Sequence, residues 1–83
     1  MKYEVYAVKD SITGFNQPAC ELNQAAALRS FKNLINLNEA FRINAGDYSL
    51  FKIADFDTDT GYCTGIDPVF IVSGSSVLEV NNA

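Results

Sequence analysis

The segment Tyr3-Glu-Val-Tyr-Ala-Val-Lys9 decides the fold. Alternation puts Tyr3, Val5 and Ala7 on one face of a strand and Glu4, Tyr6 and Val8 on the other. Both faces carry apolar bulk, so the strand needs cover on both sides and belongs inside a sheet rather than at its edge. Cover for one face follows in the sequence. From Glu21 the apolar period lengthens to three or four, with Leu28, Phe31, Leu34 and Ile35 in one stripe and Ala25, Ala26 and Ala27 raising helix propensity ahead of it. Asn23 is the expected N-cap, and Arg29, Lys32 and Asn33 fall off the stripe. Asn side chains compete for backbone hydrogen bonds, so Asn36-Leu-Asn-Glu39 predicts a helix end near Asn36 and one more turn over Glu39 to Arg42.

Asp10 to Pro18 is rich in turn formers and reads as a surface loop, with Phe15 as its exception. Asn44-Ala-Gly-Asp47 reads as a turn in which Gly46 can take a left-handed conformation. Tyr48 to Phe56 is a second strand, with Phe51 and Ile53 on one face and Tyr48, Leu50, Ala54 and Phe56 on the other. Asp57-Thr-Asp-Thr-Gly61 turns the chain, and Tyr62 to Ile66 returns antiparallel as a hairpin. Beyond Asp67-Pro68, the run Val69-Phe-Ile-Val72 must be buried by the domain or by a partner. The fold class is therefore α+β: a small sheet of three to four strands with one main helix on one face, in β-α-β-β order. A right-handed crossover would make the first two strands parallel. Residues 1–72 form a single domain, and 73–83 form a Ser/Gly/Asn-rich C-terminal tail, mobile unless Val77, Leu78 and Val80 dock.

The chain has 83 residues, so its core is small and a second subunit is a natural source of stability. Ten acidic residues against six basic give a net charge of −4, and Lys2, Lys9, Arg29, Lys32, Arg42 and Lys52 are scattered, which argues against an electrostatic grip on phosphates. There is no His, so the usual base and the commonest metal ligand are both missing. Cys20 and Cys63 are too far apart in sequence for a CxxC site; a disulfide between them is open, and reduced thiols are the expectation. The opening Met-Lys-Tyr-Glu leads straight into a strand, so no signal peptide is expected, and no apolar run reaches the ~20 residues that cross a bilayer. No cofactor, no membrane and no enzymatic activity are expected.

Three constellations remain. Asp55, Asp57 and Asp59 are spaced like the start of a calcium loop, but Thr60 stands where Gly is wanted and Ile66 where a bidentate Glu is wanted, so the acids read as turn caps. Tyr3, Tyr6, Tyr48, Phe51 and Tyr62, with Lys9 and Lys52, would make a stacking platform for single-stranded bases if they met on one sheet face. Arg29, Lys32 and Arg42 would add charge to a phosphate contact, although a solvated helix face explains them too. Packing is the simpler use of the aromatics, and it predicts a homodimer through the uncovered sheet face or through Val69, Phe70, Ile71 and Val72.

Tyr6-Ala-Val-Lys-Asp-Ser-Ile-Thr-Gly-Phe15 with Gln17-Pro18, Ala25 to Phe31 ending in Arg29-Ser-Phe31, Asp47-Tyr-Ser-Leu-Phe-Lys-Ile53, and Phe56-Asp-Thr-Asp-Thr-Gly61 together resemble one family. It is the small nonstructural protein encoded by the fifth reading frame of gokushoviruses, single-stranded DNA phages of the microvirus group. The stretch after the helix departs from it: the family often has prolines there, and Asn36-Leu-Asn-Glu-Ala-Phe41 has none. The resemblance implies a nonstructural accessory protein in the host bacterial cytoplasm, acting in genome replication or in single-stranded genome synthesis and packaging through contacts with phage or host proteins. A direct single-stranded DNA-binding protein is the alternative, and a scaffold or capsid-associated protein a further one. No catalytic residue comes with the resemblance.

Overall fold

The computed structural model describes residues 1–79. Strand β1 (Lys2–Asp10) is followed by two short strands, β2 (Gly14–Phe15) and β3 (Ala19–Glu21). Then come helices α1 (Gln24–Leu37) and α2 (Glu39–Ile43), a 3₁₀ turn (Ala45–Asp47), strands β4 (Tyr48–Asp57) and β5 (Cys63–Ser73), and the single turn α3 (Gly74–Val77). The strands form one antiparallel sheet in the order β2-β1-β4-β5, with β3 on the same side of β1 as β2. The mixed α and β content and the interior position of β1 match the sequence reading. The β-α-β-β order does not.

The difference starts in the segment read as a loop. Phe15 pairs with Lys9, and Ala19, Cys20 and Glu21 pair with Tyr6, Val5 and Glu4, so Gly14 to Glu21 turns back along β1 as a broken edge strand. The chain therefore enters α1 near the start of β1. Helix and turns then carry it to the other end, where Tyr48 pairs with Asp10 and β4 runs antiparallel to β1. The helix still joins two parallel strands, but these are β3 and β4, lying either side of β1.

Helix α1 is capped as its sequence predicts, with the Asn23 carboxamide oxygen accepting from the Ala26 amide at 2.8 Å. Its stripe covers the helix side of β1 and β4, where Tyr6, Ala27, Phe31, Ile35, Ala45 and Leu50 form the buried core. Burying a side chain such as Phe31 contributes about 2–3 kcal/mol. Asn38 ends α1 and caps α2, its side chain accepting from the Ala40 and Phe41 amides. Gly46 is not left-handed: Asn44 to Asp47 winds as a 3₁₀ turn closed by the Asp47 amide on the Asn44 carbonyl at 2.9 Å. The left-handed glycine of the hairpin is Gly61 (φ 79°) in the β4–β5 turn.

Val77 and Leu78 pack against the core, and Gly74 lies so close to the Ala45 carbonyl that a Cβ there would sit 2.1 Å from its oxygen. Residues 80–83, including Val80 of the expected tail, lie outside the described residues.

Strand β5 runs on through Pro68. Ile66, Asp67 and Pro68 bulge out opposite the single residue Ile53, between the pairs Ala54↔Gly65 and Lys52↔Val69. A bulge asks for no ladder amide, which is why proline is accepted there. Val69, Phe70 and Val72 pair with β4 of their own chain, with Ile71 as an extra residue between Phe70 and Val72, so Pro68 does not redirect this run toward a neighbour.

Candidate functional site

Residues paired across an antiparallel ladder share a face, so the registers assign each side chain to a side of the sheet. The helix side of the sheet carries Lys2, Glu4, Glu21, Lys52, Asp55 and Asp57. The opposite side, left open by the helices, carries three ranks. Phe15 and Lys9 stand beside Ser49 and Ser73; Ala7 stands beside Phe51 and Phe70; Cys20, Val5, Ala54 and Gly65 form the third. Beyond them lie Tyr3, Phe56 and Cys63. Among these paired residues, Lys9 is the one charged side chain on the open face.

Val5, Ala7 and Ala54 on this side are already buried, and the accessible apolar surface centres on Phe15, Phe51 and Phe70. Phe51 meets Phe15 edge-on at 5.3 Å between ring centroids and Phe70 edge-on at 5.7 Å. Edge-to-face geometry sets the positive rim of one ring against the negative face of another. The Lys9 ammonium lies 5.4 Å from the Phe15 centroid and 5.8 Å from that of Phe51. Phe15 and Phe70 are still 46% and 57% exposed, an uncommon fate for neighbouring phenylalanines.

The aromatic platform expected from the sequence is not assembled. Tyr6 is on the helix side and only 3% exposed, and Tyr48 is half-buried beside Phe41 at 4.5 Å. Of the five aromatics, Tyr3 and Phe51 reach the open face, while Tyr62 sits beside Lys2, Asp55 and Asp57 on the hairpin. The cations are dispersed as well. Lys52 is on the helix side in an ion pair with Asp55 at 3.1 Å, Lys32 pairs with Glu79 at 2.9 Å, and Arg29 is exposed on α1. Arg42 is occupied, donating to the Asn36 side chain at 3.3 Å and to the Glu79 carbonyl at 2.6 Å. The four apolar residues proposed for a dimer also divide. Val69 and Phe70 are exposed, whereas Ile71 and Val72 pack against the core.

On the helix side, the Tyr6 hydroxyl donates to Glu4 at 2.5 Å. Burial, and then this bond and the neighbouring carboxylates of Glu4, Asp55 and Glu21, push the phenol well above its usual range. The turn acids act as caps: Asp57 accepts from the Asp59 amide at 2.9 Å, and Asp59 pairs with the N-terminal ammonium at 3.0 Å. The backbone amide of Asp59 holds the Asp57 carboxyl below its ordinary value. Cys20 and Cys63 are free and exposed on β3 and β5. β1 and β4 separate them, about 14 Å at the usual strand spacing, so no disulfide joins them within the chain.

Phe15, Phe56, Ala54 and Gly65 were not picked out by sequence reasoning. Phe15 carried a signal, as an aromatic in a segment otherwise made of turn formers. Among the described residues no helix is long and apolar enough to cross a membrane.

The model of the phage ORF5 protein family matches residues 3–77 of this chain. No curated protein matches, and no solved structure does.

Proposed function

The chain belongs to the phage ORF5 protein family and is a phage accessory protein; from that premise we propose that it works through protein contacts made by the open sheet face. In this reading it is a nonstructural protein of a gokushovirus-type single-stranded DNA phage. It acts in the host bacterial cytoplasm, in genome replication or in single-stranded genome synthesis and packaging. Its partners are a further copy of itself or replication and packaging proteins of phage or host, and it performs no catalysis of its own.

One observation carries the reading: an apolar sheet face with Lys9 as its single charge among the paired residues. A surface that tracks phosphates needs several cations, because each neutralised phosphate contributes a counterion-release increment of about 0.7 to the salt slope on single strands. One lysine supplies one increment. Phe15 and Phe51 beside Lys9 are turned edge to face against one another instead of lying flat, which offers bases a poor stacking platform. Fluorescence anisotropy with labelled single-stranded DNA, at low and at physiological salt, tests this. No saturation at micromolar protein is the expected result, and micromolar binding with a steep salt slope would transfer the function to direct DNA binding.

A further inference from the structure

We propose that the cavity beneath α1 is a binding site for a small aliphatic amine, with the hydrocarbon seated between helix and sheet and the ammonium held by Glu21. The site lies on the helix side of the sheet and does not depend on the reading of the open face.

The cavity lies between α1 and the strands β1 and β3 and has a volume of about 120 Å³. Tyr6, Phe31 and Leu50, each at most 4% exposed, make its floor, and Val8 and Leu34 make half-buried walls. Small side chains leave the room: Ala19 on β3 and Ala27 and Ser30 on α1 all line the space, and none reaches across it. Gln17, in the break between β2 and β3, lines the mouth. An apolar cavity of roughly 150 Å³ stays dry and takes up benzene, so this one has room for about four or five carbons. Apolar lining with a few polar groups at one end is the usual make-up of a small-molecule site.

The charge of the ligand follows from the rim. Gln17, Ser30 and Glu21 are its polar groups, and among the described residues no Lys or Arg lines the cavity. Glu21 ends a cross-strand rank of three carboxylates, with Glu4 opposite it on β1 and Asp55 opposite Glu4 on β4. Like charges placed directly opposite repel. Asp55 has the Lys52 ammonium at 3.1 Å and Glu4 accepts from the Tyr6 hydroxyl, whereas among the described residues no cation pairs with Glu21. A ligand ammonium at Glu21 relieves the repulsion, and a ligand carboxylate or phosphate adds to it. The order of polarity, apolar floor and acidic rim, selects a free amine. It enters tail first and leaves its charge hydrated at the rim, while a lysine side chain reaching in from a partner would carry its ammonium to the apolar floor.

Amide NMR of the full chain, titrated near neutral pH with isoamylamine, tests the site, with isoamyl alcohol and isocaproate as neutral and anionic controls carrying the same tail. The amine should give saturable shifts centred on Ala19, Glu21, Ala27 and Ser30 with a millimolar Kd. The alcohol should bind about threefold more weakly, the scale of a partly exposed ion pair, and isocaproate should not saturate. Glu21→Gln should bring the amine down to the affinity of the alcohol and leave the alcohol unchanged. Ser30→Leu fills the mouth from the helix and Ala19→Leu fills it from the sheet, and each, with an unchanged circular dichroism spectrum, should abolish binding of both. No saturation by the amine, shifts centred elsewhere, or binding that persists in both folded filling variants overturns the cavity as the site. Equal affinity for amine and alcohol, or amine binding indifferent to Glu21→Gln, overturns the amine as its ligand.

Discussion

Replacing Asn36 by Leu should loosen the C-terminal segment from the helix layer. The Asn36 carboxamide donates to the Lys32 carbonyl at 2.8 Å within its own helix and to the Val77 carbonyl at 2.9 Å across to the following segment. Its oxygen accepts from the Glu79 amide at 2.7 Å and from Arg42 at 3.3 Å. Three of these bonds are tertiary. At about 1 kcal/mol each they sum to about 3 kcal/mol, less about 0.5 kcal/mol regained from the better helix propensity of Leu. Glu79 is exposed and water replaces part of its bond, so the expected net cost is about 2 kcal/mol. For a chain of this size that lowers Tm by roughly 8–16 °C. Urea unfolding gives the free energy, and amide exchange at Val77 to Glu79 gives the locus. The same groups bind Arg42, so Arg42→Ala and Asn36→Leu together should cost less than their sum by at least about 0.5 kcal/mol. A loss under about 0.5 kcal/mol, or strict additivity, would refute the latch.

Two further perturbations test the fold at other points. Gly74→Ala forces a methyl group to 2.1 Å from the Ala45 carbonyl oxygen, so backbone must shift, and overpacking of this kind costs about 1–3 kcal/mol; a melting temperature equal to the parent's would show that the turn yields freely. Tyr6 titrates above its unfolded value, so its neutral phenol stabilises the fold fully below the unfolded pKa near 10, and that contribution falls by about 1.4 kcal/mol per pH unit as pH rises beyond it. Tyr6→Phe should therefore be less stable than the parent by about 1 kcal/mol at pH 8, and the gap should close or reverse at pH 11. A gap of constant size at both pH values contradicts the role given to the phenol.

Much of the layout was legible because its signals are local. The Asn23 cap, the α1 stripe and the Gly61 turn each depend on a few consecutive residues and were found where the sequence placed them, and the helix end expected near Asn36 falls at Leu37, with Asn38 as the cap. Asn36 shows the limit of such reading. Its type marks it as a weak helix former, which is sound within the helix, but its partners lie 41 and 43 residues away, at Val77 and Glu79. The parallel pairing of the first two strands failed for a related reason. The short strands β2 and β3 sit in a stretch dominated by Gly, Asn, Gln and Pro, and they form because β1 offers an unpaired ladder, which no local propensity reveals.

The open face was hidden by one residue. Strict alternation along β4 sets Ala54 and Phe56 with Leu50 and Tyr48, against Phe51. Between the pairs Val5↔Ala54 and Tyr6↔Lys52, however, Ile53 has no partner on β1, and this extra residue advances the alternation by one step. From Ala54 onward every side chain changes sides, which moves Phe56 onto the face of Phe51 and Asp55 onto the face of Lys52. A further irregularity lies opposite the same residue, where Ile66 to Pro68 bulge from β5, and another at Ile71, between the pairs Phe51↔Phe70 and Leu50↔Val72. Together they sort the sheet by polarity. The carboxylates gather on the helix side, Asp55 finds the Lys52 ammonium, and the opposite face carries Phe51 and Phe70 edge to face. A sheet whose strands carry acids on one side and phenylalanines on the other has a second layer to complete. Among the described residues every helix is already spent on the acidic side.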